Sequence, residues 1–473
     1  YIGGVYYPDK TKVGWWKNGY PEYFAKVINA PSWLGISILI DSIPLDLNKV
    51  NRVERFERIL DMKKGLYERA FSIKMKDNLK VEINSKRFIS MKRKSVGAIS
   101  YKIRCNRDVK ISLSPYINFD VSNDDSNWDE KFWETNEKIN TQKKSLVKSR
   151  VKKTGFKVIT YMKADLYDNN IKLEKPFIAK CNSKKILLES EQILKRGHTL
   201  KVVKFGGYVT SKCNDWNKIE NKANNILNYL ENASFEGLYQ EHKLEWAKIW
   251  EQSDIKISGD NKSQQAIRFN IFQLNQTYRG DNPSLNFGPK GFTGEKYGGS
   301  TYWDTEAYCV PFCLGTKPPE VTLNLLNYRY LQLDKAIDNA KKLGFENGAA
   351  LFPMVTVNGE ECHNEWEITF EEIHRNNAIA FAIFNYTRYT GDLNYLLNKG
   401  LEVLVGISRF WAQRVSYSER KKKYVILGVT GPNEYENNIN NNWYTNYSTK
   451  WCLEFTLDSI KICKKNNANS FEE

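Results

Sequence analysis

The sequence predicts an N-terminal antiparallel β-sandwich followed by a helical region. Up to about Tyr208, short segments alternate β-branched or aromatic residues with polar ones, as in FKVITYMKADLY, and turn residues separate them. From about Asp215, apolar residues recur every three or four positions, as in WNKIENKANNILNYLENA. A chain of 473 residues with 41% hydrophobic residues can bury a large core, so a β + α multidomain protein is expected.

The change of periodicity predicts three regions. Residues 1–214 form the β domain, with strand candidates such as WLGISILID, YKIRC and KVEINSKRFISM. Residues 215–260 form a helical linker, and residues 261–473 form a domain of long helices joined by Gly-rich, aromatic and acidic loops. Such loops on a helical scaffold are where functional residues concentrate. The long helices of the last region are predicted at residues 320–343, 370–390, 393–416 and 443–464.

The formal net charge of +16 raises nucleic acid or an anionic membrane as a partner, because clustered Lys and Arg neutralise phosphates. The basic residues are nevertheless spread along the chain among Asp, Glu and abundant Asn. The densest run, within residues 143–153, is typical of a loop that leads into a solvated strand face. We therefore expect no nucleic-acid or membrane partner, with nucleic-acid binding at this run as the alternative.

The cysteines predict reduced, mostly buried thiols, because they form no CxxC pair and no Cys/His spacing suited to zinc. Cys309 and Cys313 lie four apart on an apolar helical run, which favours packing over redox chemistry. No apolar stretch is long enough for a transmembrane helix and no signal peptide precedes the first strand, so a cytoplasmic location is expected. The eight cysteines are Cys105, Cys181, Cys213, Cys309, Cys313, Cys362, Cys452 and Cys463.

The loops of the helical region are rich in carboxylates, aromatic rings and amides. These groups are what a sugar site requires: ring faces for the apolar side of a pyranose, polar groups for its hydroxyls, and one carboxylic acid to protonate a glycosidic oxygen. No phosphate-binding glycine loop and no GxSxG motif is present, which disfavours nucleotide-cofactor enzymes and serine hydrolases. The loop carboxylates are Asp304, Glu306, Glu360, Glu361, Glu365, Glu367, Glu434 and Glu436.

Glu434 stands out because it follows a Gly-Pro-Asn turn and precedes six asparagines within residues 437–446. An acid catalyst must be protonated near neutral pH, which burial or nearby negative charge would favour. The asparagines can cap the following helix and bind hydroxyls or backbone without adding charge. The alternative is a Pro-Asn turn with a solvated glutamate, and spacing alone leaves both open.

Four long motifs resemble one family. They are YYPDKTKVGWWKNGYPEYFAKVINAP near the start, KGFTGEKYGGSTYWDTEAY at 290–308, FPMVTVNGEECHNEWEITFEEIHRN at 352–376 and GPNEYENNINNNWYTN at 431–446. Together they resemble glycoside hydrolase family 65, whose members are mostly inverting disaccharide phosphorylases. The resemblance covers essentially the whole chain and implies that residues 261–473 are the first part of an (α/α)6 barrel.

The resemblance implies a role for each site residue. Glu434 matches the general acid, and Trp303 and Asp304 match the pocket for the transferred glucosyl unit; otherwise Trp303 would be a buried helix-start residue and Asp304 its cap. The remaining matches lie on the acceptor-side loop, where loop packing is as good an expectation as sugar contact for each. For the charged segment Glu371, Glu372, His374 and Arg375 we expect structural ion pairs. The acceptor-side residues are Glu361, His363, Glu365 and Trp366.

The activity that the resemblance implies is inverting phosphorolysis of an α-glucosyl disaccharide. The loop at 352–376 favours maltose, which would give glucose and β-glucose 1-phosphate, with inorganic phosphate as co-substrate and no metal or organic cofactor. Alternatives are a phosphorylase for kojibiose, nigerose or trehalose, a hydrolase of the same family, and a non-catalytic carbohydrate-binding protein. The resemblance also implies a homodimer. Since family members extend beyond both ends of this chain, the 473 residues alone are expected to be an inactive fragment.

Overall fold

The structure is a computed structural model that describes residues 1–12, 22–142, 144–211, 216–295, 299–362 and 368–466. The strands of the N-terminal region carry alternating or continuous apolar residues, as the sequence predicts. In chain order they are β1 (Tyr6–Lys10), β2 (Tyr23–Val27), β3 (Ile36–Ile40), β4 (Ile43–Pro44), β5 (Arg52–Asp61), β6 (Leu66–Lys74), β7 (Lys80–Ile89), β8 (Gly97–Cys105), β9 (Val109–Asn118), β10 (Trp133–Asn140), β11 (Ser145–Val151), β12 (Lys157–Asp168), β13 (Ile171–Lys172), β14 (Ile178–Cys181), β15 (Lys185–Leu194) and β16 (Leu200–Ser211).

Two antiparallel sheets make the body of this region. One has nine strands, in the order β10-β11-β12-β16-β8-β7-β6-β5 with β13 paired to β12, and the other has five, in the order β14-β15-β9-β3-β4. Ile38 and Leu113 from the smaller sheet pack against Ile103 and Val202 from the larger one in a single core. Burying this inter-sheet surface is the main stabilising contribution expected for a sandwich.

Helix α1 (Trp216–Glu231) covers the other face of the larger sheet. Ile219 and Leu227 of that helix pack on Phe205 of the sheet. Lys148 lies beneath the same helix with 9% of its surface exposed, and its ammonium pairs with Glu137 at 2.6 Å and Glu220 at 2.7 Å. The prediction of a solvated strand face at the basic run was therefore wrong for Lys148, because the helix and two carboxylates enclose it.

The helical region follows α1 and confirms the predicted order of an antiparallel β domain before helices. The boundaries near residues 214 and 260 stay predictions. Among the described residues, no helix is both long and apolar enough to cross a membrane. The elements are α1 (Trp216–Glu231), α2 (Phe235–Ser253), α3 (Asn261–Thr277), α4 (Val310–Thr316), α5 (Pro319–Tyr330), α6 (Leu333–Lys342), α7 (Ile368–Glu371), α8 (Arg375–Thr390), α9 (Leu401–Arg414), β17 (Ser416–Ser418), β18 (Lys423–Val425) and α10 (Trp443–Asn466).

Two of the predicted long helices are interrupted. The helix expected at 320–343 is divided into α5 and α6, and the one expected at 370–390 begins at Arg375, after a turn at residues 372–374. A π-helical turn at Thr305–Cys309 leads into α4, and such turns are frequent at functional sites. The turn at 372–374 and the π-helical turn both border the candidate site.

The first two strands of the β region pack directly on the loops of the helical region. Phe24 of β2 shares a small core with Met354 and Val355. The Asn358 amide donates to the Tyr23 hydroxyl at 2.9 Å, while the Tyr23 hydroxyl donates to the Glu360 carboxylate. The N-terminal region thus helps to hold the loop that the sequence assigns to the acceptor side.

Candidate active site

Glu434 lies in a tight loop between β18 and α10. Its N–H donates to the Gly431 carbonyl at 3.1 Å, and its φ of 55° falls in the left-handed region. That conformation costs a residue with a side chain about 1 to 3 kcal/mol, so the surrounding contacts must impose it. A Cβ at Gly431 would lie 2.6 Å from the Asn442 amide nitrogen, which accounts for glycine at that position. The turn presents the Glu434 side chain to solvent rather than burying it.

Glu371, at the end of α7, fixes both ends of the Glu434 loop. Its Oε2 accepts from the Thr430 hydroxyl at 2.6 Å and from the Asn438 N–H at 2.6 Å. Its backbone carbonyl also accepts from the Thr430 N–H at 3.2 Å. One carboxylate therefore sets the span between residues 430 and 438, within which Glu434 is presented.

The asparagines after Glu434 mainly satisfy backbone groups. Asn442 caps α10, because its Oδ1 accepts from the Thr445 N–H at 3.0 Å. The Asn441 Oδ1 accepts from the Ile426 N–H at 3.2 Å, and the Asn440 Oδ1 accepts from the Gly428 N–H at 3.0 Å. The prediction that asparagines cap the next helix and bind neighbouring backbone is confirmed, and the loop is held without further charge near Glu434.

Glu372 lies beneath this loop in the turn that precedes α8, with none of its surface exposed. Burial and then the negative charge of Glu434 raise the pKa of Glu372 to about 8, Asp304 adds to the rise, and Arg375 opposes it. Neither Glu372 carboxylate oxygen has a hydrogen bond of normal geometry within the described chain. Glu372 is therefore a protonated carboxyl at neutral pH.

His374 lies two residues further along and is also fully buried. Burial, with a smaller effect from the Arg375 charge, lowers the pKa of His374 to about 3, so the ring is neutral. Its Nε2 is 3.8 Å from Glu372 Oε1, too far for a hydrogen bond. Glu372 and His374 therefore do not contribute an ion pair to the structural ion pairing expected for this segment, and both are buried and neutral.

Two aromatic rings pack against the buried His374. Trp303 contacts His374 edge to face with ring centroids 4.9 Å apart, and Tyr444 of α10 also contacts His374 edge to face, with ring centroids 5.4 Å apart. Trp303 also lies 5.9 Å from the ring of the exposed Tyr308. Trp303 is partly exposed rather than buried, so its indole is available to a ligand, as a sugar-stacking role requires.

Asp304 is half-buried next to Trp303, and burial raises the pKa of its carboxyl. Its side chain makes no capping hydrogen bond to the turn that follows, which disfavours the helix-cap alternative. The negative charges of Asp304 and Glu434 both raise the pKa of the buried Glu372 carboxyl, so the three carboxyl groups influence one another electrostatically. Assignment of Trp303 and Asp304 to a sugar pocket stays a prediction, and the geometry is compatible with it.

Glu361 has a different environment from the other predicted site residues. Its carboxylate accepts from the N–H groups of Met354 at 2.6 Å, Val355 at 3.2 Å and Cys362 at 3.1 Å. These contacts favour the loop-packing alternative for Glu361. His363, Glu365 and Trp366 lie outside the residues that the structure describes.

Arg375 connects the acceptor-side loop to the turn that carries Glu372. Its guanidinium donates to the carbonyls of Phe352 at 2.7 Å, Thr369 at 2.8 Å and Glu372 at 3.1 Å. It also lies 3.7 Å from Glu361 Oε2. Within the charged segment 371–375, the contact of Arg375 with Glu361 most resembles the structural ion pairs that the sequence predicts.

Sequence reasoning missed Glu372, His374 and Tyr444 as parts of one site. In EEIHRN the spacing of a glutamate and a histidine is that of any charged helix start, and burial cannot be read from it. The described ranges contain no cluster of three or more His, Cys, Asp or Glu suited to a metal ion. What the site offers is a solvent-facing carboxylate above a protonated one, beside an accessible indole, which suits proton transfer to a sugar oxygen.

Comparisons with known proteins identify relatives of the chain. The chain is 47% identical to maltose phosphorylase of Bacillus subtilis (strain 168) over 98% of its own length, and 32% identical to alpha,alpha-trehalose phosphorylase of Thermoanaerobacter brockii over 100%. A solved structure, a putative kojibiose phosphorylase from human microbiome, superposes with a TM-score of 0.89 at 27% identity and covers 100% of the chain.

The chain spans 60% of the Bacillus protein's length, 61% of the Thermoanaerobacter protein's length and 61% of the solved chain. Residues 1–249 match the glycosyl hydrolase family 65 N-terminal domain, and residues 268–472 match the glycosyl hydrolase family 65 central catalytic domain. The two matches leave few residues outside them, and they run in the same order as the β and helical regions. The chain belongs to glycosyl hydrolase family 65.

Proposed function

We propose that the complete gene product containing this chain phosphorolyses maltose with inversion, giving glucose and β-glucose 1-phosphate. The observation that carries the proposal is the solvent-facing Glu434 above the buried Glu372, whose pKa Glu434 and Asp304 both raise, next to the accessible indole of Trp303. An inverting mechanism needs one carboxylic acid on the leaving-group side of the scissile bond. Glu434 is the carboxyl that the loop presents to solvent and therefore to a substrate.

In the proposed reaction Glu434 donates its proton to the glycosidic oxygen as the bond from that oxygen to the anomeric carbon breaks. A phosphate oxygen forms the new bond to the anomeric carbon from the opposite face, which inverts its configuration. Trp303 packs on the glucosyl ring and Asp304 accepts hydrogen bonds from its hydroxyls. Phosphate is already a nucleophile, so the proposal requires groups that position it and no second carboxylate base.

Maltose is proposed over other disaccharides because of the relatives. Identity to the maltose phosphorylase is 47%, against 32% to the trehalose phosphorylase and 27% to the putative kojibiose phosphorylase. The loop at 352–376, which Arg375 and Glu361 contact, is the segment whose resemblance to the family's acceptor-side loop favours maltose. The homodimer and the cytoplasmic location stay predictions.

The test is a substrate panel on the complete gene product. Maltose, kojibiose, nigerose and trehalose are each incubated with and without inorganic phosphate, and free glucose and glucose 1-phosphate are both followed. Phosphate-dependent release of equal amounts of the two products from maltose alone supports the proposal. Phosphate-independent release of two glucoses would establish a hydrolase, and turnover of another disaccharide would replace maltose as the substrate.

Substitution of Glu434 distinguishes the proposed enzyme from a non-catalytic carbohydrate-binding protein. Glu434→Gln keeps the size of the side chain and removes the proton, so binding of maltose should persist while phosphorolysis falls by about 100-fold or more. Glu419→Gln serves as the matched control, because Glu419 is exposed in the turn between β17 and β18 and pairs with Lys422 there. Equal activity of the two variants would remove Glu434 from the mechanism.

A further inference from the structure

Glu372 is a buried ionisable group of the site to which the proposed reaction gives no role. Its carboxyl is fully buried, yet neither oxygen has a hydrogen bond of normal geometry within the described residues. A buried polar group without a partner is costly, so its retention at a site calls for an explanation. The loop above it presents Glu434, whose carboxyl interacts with the Glu372 carboxyl and raises its pKa.

The charged groups around Glu372 come from four parts of the chain. Glu434 faces it from the loop before α10, and Asp304 faces it from the turn before α4. His374, on the same turn, is neutral and 3.8 Å away. Arg375 of α8 supplies positive charge, although its guanidinium N–H groups are directed to the carbonyls of Phe352, Thr369 and Glu372 rather than to the Glu372 carboxylate. No described side chain thus competes with Glu434 for a hydrogen bond to the Glu372 carboxyl.

The geometry points to Glu372 as a positioning residue that shares one proton with Glu434 and so keeps the acid catalyst supplied with it. This inference rests on the proposed function, because it assigns Glu434 the role of acid. It explains how a carboxyl exposed to water can act as an acid at neutral pH: the proton is stored on a neighbour from which water is excluded.

One proton passes from Glu372 through Glu434 to the glycosidic oxygen and is then replaced. In the free site Glu372 carries the proton, and close approach of the two carboxyl groups allows that proton to move to Glu434. Glu434 then gives it to the glycosidic oxygen as that bond breaks, and Arg375 lies near the negative charge left on the pair. A proton from the incoming phosphate or from solvent restores the pair, so no other reactant is needed.

Burial of Glu372 sets the pH range over which Glu372 and Glu434 hold the shared proton. Because the pKa of Glu372 is about 8, the shared proton is retained up to that pH and lost above it. Disaccharide phosphorolysis should therefore decline on the alkaline side near this value. A purely structural Glu372 would contribute to folding without setting the position of this decline.

The experiment compares Glu372→Gln with wild type in the complete gene product, on two donors. Maltose has a leaving group that needs protonation, whereas α-glucosyl fluoride has one that does not. Gln fills the same space and donates an N–H to Glu434, but it cannot transfer a proton. We expect phosphorolysis of maltose near pH 7 to fall by about 10- to 100-fold, with the alkaline decline moved to lower pH, and phosphorolysis of the fluoride to change by less than about threefold.

Two results would overturn the inference while leaving the proposed function intact. One is wild-type activity of Glu372→Gln on maltose with an unmoved alkaline decline, and the other is an equal loss on both donors, which indicates a structural role. If wild type turns over neither donor, the proposed function fails. The inference is then decided by infrared spectroscopy near neutral pH, where wild type must show a protonated-carboxyl band that Glu372→Gln lacks and the control Glu419→Gln retains.

Discussion

Substituting Glu372 by glutamine should remove a large pH dependence of stability. The folded protein holds a proton on Glu372 up to a pKa of about 8, whereas the ordinary pKa of a glutamate is 4.5. Between these values the folded state binds a proton that the unfolded state has lost, so the free energy of unfolding decreases as pH rises and levels off above about pH 8. In Glu372→Gln no proton is bound or released at this position, and this slope disappears.

The size of the effect follows from the shift. Each pKa unit corresponds to about 1.4 kcal/mol, so wild type should lose about 4 kcal/mol relative to Glu372→Gln between about pH 5 and pH 9. For a helical region of this size, 1 kcal/mol moves the melting temperature by about 2 to 4 °C. Between about pH 5 and pH 9, the melting temperature of Glu372→Gln should therefore rise by roughly 10 °C relative to that of wild type.

The assay is thermal unfolding of both proteins at several pH values, and the quantity compared is the difference between them. Taking the difference cancels the other titrating groups, which both proteins share. Glu419→Gln is the matched control: it removes an exposed partner of Lys422 and should change stability by less than about 1 kcal/mol at any pH. A constant difference between wild type and Glu372→Gln from about pH 5 to pH 9 would show that Glu372 is ionised in the folded protein and would contradict this prediction.

Three further predictions concern contacts around the site. Asn442→Ala removes the cap of α10 and should lower stability by about 1 kcal/mol in urea unfolding, with Asn442→Asp restoring most of it. Glu371→Ala removes the acceptor that holds the Glu434 loop and should lower kcat on maltose more than it raises KM. Glu371→Gln, whose side-chain carbonyl can still accept hydrogen bonds, should restore kcat. Unchanged kinetics in Glu371→Ala would show that Glu371 does not hold the loop in place for the reaction. Arg329 pairs with Glu306 at 2.7 Å, and both side chains are 2% exposed. Arg329→Met leaves Glu306 as a buried unpaired charge and should lower the free energy of unfolding, measured in denaturant, by about 3 to 5 kcal/mol. A loss below about 1 kcal/mol would contradict this prediction.

Local signals in the sequence identified a good part of the fold. The two periodicities separated the β region from the helices, because strand and helix faces repeat differently along any chain. The Gly-Pro-Asn turn and the asparagine run located the Glu434 loop and the cap of α10. Each of these signals is contained within a few neighbouring residues.

What the sequence did not yield depends on contacts between distant segments. The break at residues 372–374 inside a helical pattern depends on Arg375 bonding the carbonyl of Phe352 and on Glu371 bonding Thr430. The burial of Glu372 depends on the loop that these contacts fold over it, so its charge state could not be inferred from EEIHRN. For Glu361, the three backbone N–H donors that favour loop packing became visible only once the loop was folded.

The most direct test of the proposed mechanism is the configuration of the first product. The complete gene product is mixed with maltose and inorganic phosphate, and NMR follows the anomeric proton of glucose 1-phosphate during the first turnovers, in parallel with Glu434→Gln. We expect β-glucose 1-phosphate from wild type, formed only with phosphate, and its loss in the variant. Formation of α-glucose 1-phosphate, or release of glucose alone without phosphate, would contradict it.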